Sequence, residues 1–117
     1  MNVEYFREYC LNKSNVSESM PFGDDVLVFK VFDKMFALLR MKENQESSVN
    51  LKCEPEKAIE LREMYAAVKP GYHMHKKHWN TLFFNQDLKD EILLGLIDHS
   101  YNLIVDKLTK KQKQELH

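Results

Sequence analysis

The chain has 117 residues, 44% apolar and 30% charged, which suits one domain over 1–117 with a buried core and excludes a disordered composition. Its 17 Lys and Arg against 18 Asp and Glu leave a formal net charge of -1. That excludes a strongly basic chain that holds nucleic acid by bulk charge alone.

Cys10 and Cys53 are far apart and lack CxxC spacing, so two reduced thiols are expected rather than a disulfide scaffold or a four-cysteine zinc site. Charges interrupt the N-terminus at Glu4 and Arg7, so neither a signal peptide nor an anchor is expected. No stretch approaches the ~20 apolar residues of a membrane span. The expectation is a cytoplasmic monomer with no membrane partner.

Val3, Phe6, Tyr9 and Cys10 fall at helical spacing and predict an amphipathic helix over 3–13, capped by Asn2. The polar run 13–19 reads as a loop. Runs rich in β-branched and aromatic residues at 26–31 and 35–41, separated by Phe32-Asp33-Lys34, predict a hairpin. A loop over 42–47 leads to 49–53, whose clean alternation predicts a half-buried strand. Pro55 suits the first turn of a helix. Leu61, Met64, Tyr65 and Val68 at i, i+3, i+4 and i+7 then predict a helix over 56–68, ended by Pro70-Gly71.

A short strand over 71–74 and an aromatic strand over 79–84 follow. Asp87 is expected to cap a long helix over 88–108. Leu93, Leu96, Ile97, Tyr101, Ile104 and Leu108 lie on one side of it. Gly95 inside that helix costs roughly 1 kcal/mol relative to Ala. Thr109 and Gln112 fit a capping box for a short basic terminal turn. The order α-β-β-β-α-β-β-α describes an α+β fold: an antiparallel sheet of about five strands with helices packed on one face.

The most unusual segment runs from Lys69 through Gln86 without an acidic residue. It holds Lys69, Lys76 and Lys77, together with His73, His75 and His78, and interleaves Tyr72 and Trp79. Basic groups pair with phosphate oxygens, and aromatic rings stack on exposed bases. The candidate nucleic-acid-binding set is therefore Lys69, His73, His75, Lys76, Lys77 and His78, with Arg40 and Lys52 as further phosphate contacts. The plainer expectation for the same segment is a solvated basic turn with Trp79 in the core. On a strand, His73 and His75 share a face, but closed zinc sites want four ligands and no cysteine lies nearby, so no metal site is expected.

Cys53 precedes a predicted helix, where a helix N-terminus can lower a thiol pKa, and His99 would meet it only through the fold. There is no GxSxG, no phosphate-cradling glycine loop and no HExxH. Asp98-His99-Ser100 are helical neighbours pointing about 100° apart and cannot form a relay; His99 and Ser100 are expected at the helix–sheet boundary. No catalytic residue, no cofactor and no enzymatic activity are expected.

Several segments together resemble one family. Pro21-Phe22-Gly23 leads to Val28-Phe29-Lys30-Val31 and Lys34-Met35-Phe36-Ala37-Leu38. Asn50-Leu51-Lys52-Cys53 precedes a helix, and Ser100-Tyr101-Asn102-Leu103-Ile104-Val105 closes the pattern. Its most specific part is Pro70-Gly71-Tyr72-His73-Met74 with Lys77-His78-Trp79-Asn80-Thr81. Across nearly the whole chain this resembles the MmcQ/YjbR family. The resemblance implies a CyaY-like fold and a DNA-binding role linked to a double-wing arrangement, and it supplies no catalytic residues. His75 stands where the family pattern has Asn, so a three-histidine metal site is not a family feature.

Two functions compete. The first is a DNA-binding module making weak phosphate contacts through the Lys/His-rich turn. The second is a protein- or small-ligand-binding module with no nucleic-acid role. Glu18, Asp24 and Asp25 around Met20, Pro21 and Phe22 suggest a surface for an unidentified protein partner, and a pocket lined by His73, Trp79 and Tyr101 would suit a small ligand. Trp79 is the only tryptophan and is expected to be buried on a sheet face. Trp79→Ala should cost ~3–5 kcal/mol in equilibrium denaturation; a variant as stable as the parent would place Trp79 outside the core.

Overall fold

The computed structural model describes residues 1–42 and 46–116. The helix α1 spans Val3–Leu11, and Asn2 Oδ1 accepts from the Tyr5 amide, as its capping role requires. Four strands follow: β1 (Val16–Ser19), β2 (Val26–Val31), β3 (Lys34–Arg40) and β4 (Ser48–Lys52). Next come α2 (Pro55–Met64), β5 (Val68–Pro70) and β6 (Trp79–Phe83). The chain closes with α3 (Asp90–Val105) and α4 (Lys110–Gln114), the last held by the Thr109–Gln112 capping box. The α+β class stands. The strands form one sheet in the order β1-β2-β3-β4-β6-β5, every neighbouring pair antiparallel.

The sheet has one strand more than expected, because part of the presumed 13–19 loop is β1. Its Val-Ser-Glu-Ser sequence has no buried face, but it pairs with the outer edge of β2 from Val16–Val31 to Ser19–Val28. A polar strand suits a sheet edge that must not recruit another chain. The Glu18 carboxylate is gripped by Arg7 of α1 through both Nε and Nη2, so this edge is tied to the helix layer. The 42–47 loop falls partly on residues 43–45, which lie outside the described residues.

The second helix is shorter than its periodicity predicts. Tyr65 is extended at φ -126 and ψ 128, and Met64 is 70% exposed. Val68 is buried, but as a strand residue. The cause is Asp87: its carboxylate accepts the Ala66 and Ala67 amides at 2.7 and 2.8 Å, turning the chain from α2 into β5. These bonds also hold the Asp87 carboxyl below its ordinary pKa. Asp87 therefore does not cap α3, which starts at Asp90 after Lys89 without a side-chain cap. The short strand lies at Val68–Pro70 rather than 71–74.

All helix-borne buried residues share one core. Phe6 and Cys10 of α1, Ala58 and Leu61 of α2, and Leu93, Leu96, Ile97 and Ile104 of α3 pack on Phe29, Phe36, Leu39, Val49 and Leu51 of the sheet. Phe6 meets Phe29 edge-on, with ring centroids 6.0 Å apart, and Phe36 meets Tyr101 in the same way at 5.3 Å. Ser100 sits in this core: its hydroxyl donates to Phe36 O at 2.6 Å and accepts from the Lys52 amide at 2.9 Å. No helix among the described residues is long and apolar enough to cross a membrane.

The opposite sheet face carries a second, smaller cluster: Val26, Val28, Leu38 and Trp79, with Met35 and Met74 packed against it. Trp79 is 9% exposed, as expected. Gly71 lies directly against it. A Cβ at Gly71 would stand 2.7 Å from Trp79 Cβ and 2.8 Å from Trp79 O, whereas one at Gly95 would meet nothing within 4 Å. Gly71→Ala should therefore cost ~1–3 kcal/mol by overpacking. Gly95→Ala, on the exposed side of α3, should gain ~0.5–1 kcal/mol. Urea denaturation of both variants checks this pair, and equal effects of the two substitutions would contradict it.

Candidate ligand-binding face

Pleat alternation decides what the helix-free face presents. Val49 and Leu51 of β4 enter the main core, so Ser48, Asn50 and Lys52 belong to the other face. Across the register, Asn50 pairs with Thr81 and Lys52 with Trp79, while Lys69 of β5 pairs with Thr81 from the far side. Leu38 and Arg40 of β3 complete the surface.

The 71–78 loop folds against this face through a polar network. Gly71 N donates to Trp79 O at 2.9 Å. Tyr72 N donates to Thr81 Oγ1 at 2.9 Å, Thr81 Oγ1 donates to Asn50 Oδ1 at 2.5 Å, and Asn50 Nδ2 donates to Tyr72 O at 2.9 Å. Two side chains from neighbouring strands thus satisfy both backbone polar groups of one loop residue, Tyr72. His73 takes a left-handed turn at φ 58. Farther along, Arg62 of α2 donates to Lys76 O and, at 2.6 Å, to Asn80 Oδ1. The Lys/His-rich segment is consequently a pinned loop.

Two clefts of ≈ 410 Å³ each flank Tyr72. The first is floored by Val26, Met35, Leu38 and Met74 and rimmed by Phe22 and Asp25. The second holds Arg40, Lys42 and Lys69 beside Ser48 and Phe83, and among the described residues no carboxylate lines it. Arg40, Asn50 and Tyr72 line both. The Arg40 guanidinium stands 5.5 Å from the Tyr72 ring centroid, and its Nη1 meets Asp25 Oδ2 at 3.2 Å. Asp25 is fixed through its backbone, where Met41 N donates to Asp25 O at 2.7 Å. Phe22 and Tyr72 remain 60% and 55% exposed.

The sequence-derived candidates divide between two places. Lys69 joins Arg40 and Lys42 in the second cleft, and His73 lines the first. The His73 and Tyr72 rings lie 4.0 Å apart by centroid. Lys76 is exposed, yet its ammonium donates to Gly71 O at 3.2 Å, so it does not simply project into water. His75, Lys77 and His78 lie where β4 ends and β6 begins. The His75 and His78 rings are 5.1 Å apart, and Cys53 N donates to His78 O at 2.8 Å.

Electrostatics marks this end of the sheet as cation-rich. Burial, and then the charges of His75, Lys52, Lys77 and Lys107, push the His78 imidazole below its ordinary pKa. Partial burial and the Lys107 ammonium, with Lys34 beyond it, push Lys52 down to about 8. Among the described residues no group of three or more His, Cys, Asp or Glu is arranged to hold a metal ion.

Other candidates resolve differently. Tyr101 cannot share a pocket with His73: its ring packs on Phe36 in the main core, and its hydroxyl donates to Ser14 O at 2.8 Å. Burial drives the Cys53 thiol up to about 11, outweighing any effect of the following helix N-terminus. His99 instead accepts from the Glu54 amide at 3.3 Å. Asp98 takes Tyr9 Oη at 2.8 Å and Lys13 Nζ at 2.5 Å, so Asp98, His99 and Ser100 face three different partners. Glu18 and Asp25 of the acidic segment each form an ion pair, with Arg7 and Arg40 respectively. Lys42 and Lys107 carry no distinguishing signal in the sequence, and Asn50 stood out only as part of the family pattern. They join the surface through strand register and the end of α3.

The chain matches known proteins along most of its length. Residues 11–103 match the family model described as YjbR. The chain is 31% identical to the uncharacterized protein YjbR of Escherichia coli K12 over 116 residues, 99% of this chain and 98% of that one. It is 36% identical to the uncharacterized protein YbdF of Escherichia coli O157:H7 over 96 residues, 82% of this chain and 78% of that one. The crystal structure of Deinococcus radiodurans protein DR2400 superposes with a TM-score of 0.89 at 35% identity, covering 97% of this chain and 86% of that one. A Pseudomonas syringae crystal structure superposes with a TM-score of 0.77 at 29% identity, covering 88% and 98%. With the family pattern spanning the sheet and the main helices, this chain belongs to the YjbR family.

Proposed function

We propose that the chain is a nucleic-acid-binding module that contacts phosphates through the helix-free sheet face and the 71–78 loop. The carrying observation is the second cleft, which Arg40, Lys42 and Lys69 line together with the exposed Tyr72, and where among the described residues no carboxylate lies. The cation-rich sheet end at Lys52, Lys77, His78 and Lys107 adds a second group of phosphate contacts. Exposed aromatic faces stack on unpaired bases, so a single strand is favoured over a duplex. The net charge of -1 provides no long-range attraction, so binding is weak and salt-sensitive. The role is binding without catalysis, by a cytoplasmic monomer.

A second reading, a small-ligand module without a nucleic-acid role, draws on the apolar floor of the first cleft. Fluorescence anisotropy of labelled single-strand and duplex DNA across a salt series tests the first reading. Binding at micromolar protein is expected, and replacing Lys69 and Lys77 together with Ala should flatten the salt slope by about two. Stability should stay within about 0.5 kcal/mol, as for other surface changes. No binding to either DNA form, or an unchanged slope in the double variant, would overturn this assignment of the surface.

A further inference from the structure

The two clefts differ in chemistry yet share a wall. One has an apolar floor of two methionines, a leucine and a valine beneath exposed Phe22 and Tyr72. The other holds three cationic side chains. Arg40, Asn50 and Tyr72 belong to both. A molecule that fills the pair needs a flat, largely apolar body joined by a short link to an anionic group. A nucleotide has that form: its base suits the first cleft and its phosphate the second.

The rim of the first cleft also discriminates among bases. Asp25 presents an acceptor-only carboxylate, and Arg40 presents donors in a fixed fork beside it. Guanine offers two adjacent N–H donors next to a carbonyl oxygen, which matches an acceptor beside a donor. Adenine sets a ring-nitrogen acceptor next to its amino group, and that nitrogen would face the carboxylate unfavourably. The rim is also preset. Gly23 takes φ +119 in the turn between Phe22 and Asp25, a conformation that side chains rarely adopt, and Asp25 is anchored by the Met41 amide. Polarizable methionine sulfurs make favourable contacts with aromatic rings.

We propose that the paired clefts bind one nucleotide, with its base over Met35 and Leu38, its phosphate against Arg40, Lys42 and Lys69, and guanine as the preferred base. This rests on the nucleic-acid reading for the strand context and names the unit that the surface recognises. A free nucleotide and a nucleotide within a strand present the same chemistry.

Trp79 supplies the readout. It is the only tryptophan and packs with Val26, Leu38, Met35 and Met74, the residues that floor the first cleft. The full chain is titrated with GMP, AMP, guanosine and inorganic phosphate while Trp79 emission is followed. In parallel, anisotropy compares a single-stranded oligonucleotide carrying one guanine with the same strand made abasic there. GMP should change the emission saturably and bind about tenfold more tightly than AMP, the discrimination expected of a paired base contact. Guanosine should bind more weakly than GMP, and phosphate alone should leave the emission unchanged. Asp25→Asn should erase the GMP preference over AMP, and Lys69→Glu should weaken GMP more than guanosine; melting curves confirm that each variant is folded. If Asp25→Asn does not fold, the Lys69→Glu arm and the abasic strand still decide.

Equal affinities for GMP and AMP, or for GMP and guanosine, would overturn the proposal. If strands bind while GMP leaves Trp79 unaffected and the abasic strand binds equally well, the nucleotide site falls and the nucleic-acid reading survives. If GMP binds as described but no strand does, the site stands for a free nucleotide and the nucleic-acid reading falls.

Discussion

A six-stranded sheet has two faces, and this chain has helices for only one of them. Everything distinctive about the molecule follows from that constraint. The helix layer buries the phenylalanine-rich face. The other face is too apolar to be left bare, because Val26, Val28, Leu38 and Trp79 lie on it. It is covered by Trp79 itself and by the 71–78 loop, which brings Met74 against the cluster. A loop covers less area than a helix and leaves concave ground at its margins. Both clefts lie along those margins, the first between the loop and the 20–25 segment, the second between the loop and the strand ends.

The covering loop needs fixed geometry, and the means are local. Gly71 allows the backbone to lie against Trp79. Asn50 and Thr81, neighbours across the β4–β6 register, bond both the carbonyl and the amide of Tyr72. Arg62 fastens the far end of the loop from the helix side. Tyr72 is thereby held as the partition between the clefts, with its ring outward. Such a preset surface loses little conformational freedom when a ligand arrives.

Charge is distributed more informatively than its total. The net value of -1 conceals internal pairing: Glu18 with Arg7, Asp25 with Arg40, and Asp98 with Lys13. Lys69 and Lys42 line one cleft with Arg40, and among the described residues no carboxylate joins them there. Partial burial, Lys107 and Lys34 push the Lys52 ammonium down to about 8. Like charges held together cost free energy unless an anion offsets it, and this distribution is what supports the proposed phosphate contacts despite the balanced composition.

Helix α1 with its Asn2 cap, the β2–β3 hairpin, strands β4 and β6, α3 and the Thr109 capping box were legible in the sequence because each depends on residues close together in the chain. Burial of Trp79 was legible from its large ring in an aromatic strand, although its partners Val26, Val28 and Leu38 are remote in the chain. The exceptions depend on distant partners. Strand β1 has no buried face and exists because β2 offers it an edge. Helix α2 stops at Met64 because a carboxylate twenty residues away takes the Ala66 and Ala67 amides, and that engagement removes Asp87 as a cap for α3. The acid-free segment from Lys69 through Gln86 was visible as a basic, aromatic stretch, but its division between two places was not. Strand register sends Lys69 to Arg40 and Lys42, while the end of β4 draws His78 toward Lys52 and Lys107. By itself the sequence determined the fold class, the family pattern and most elements, since those follow from periodicity and capping. Only the tertiary structure decided which residues share a cleft, because that depends on pairing between strands remote in the chain.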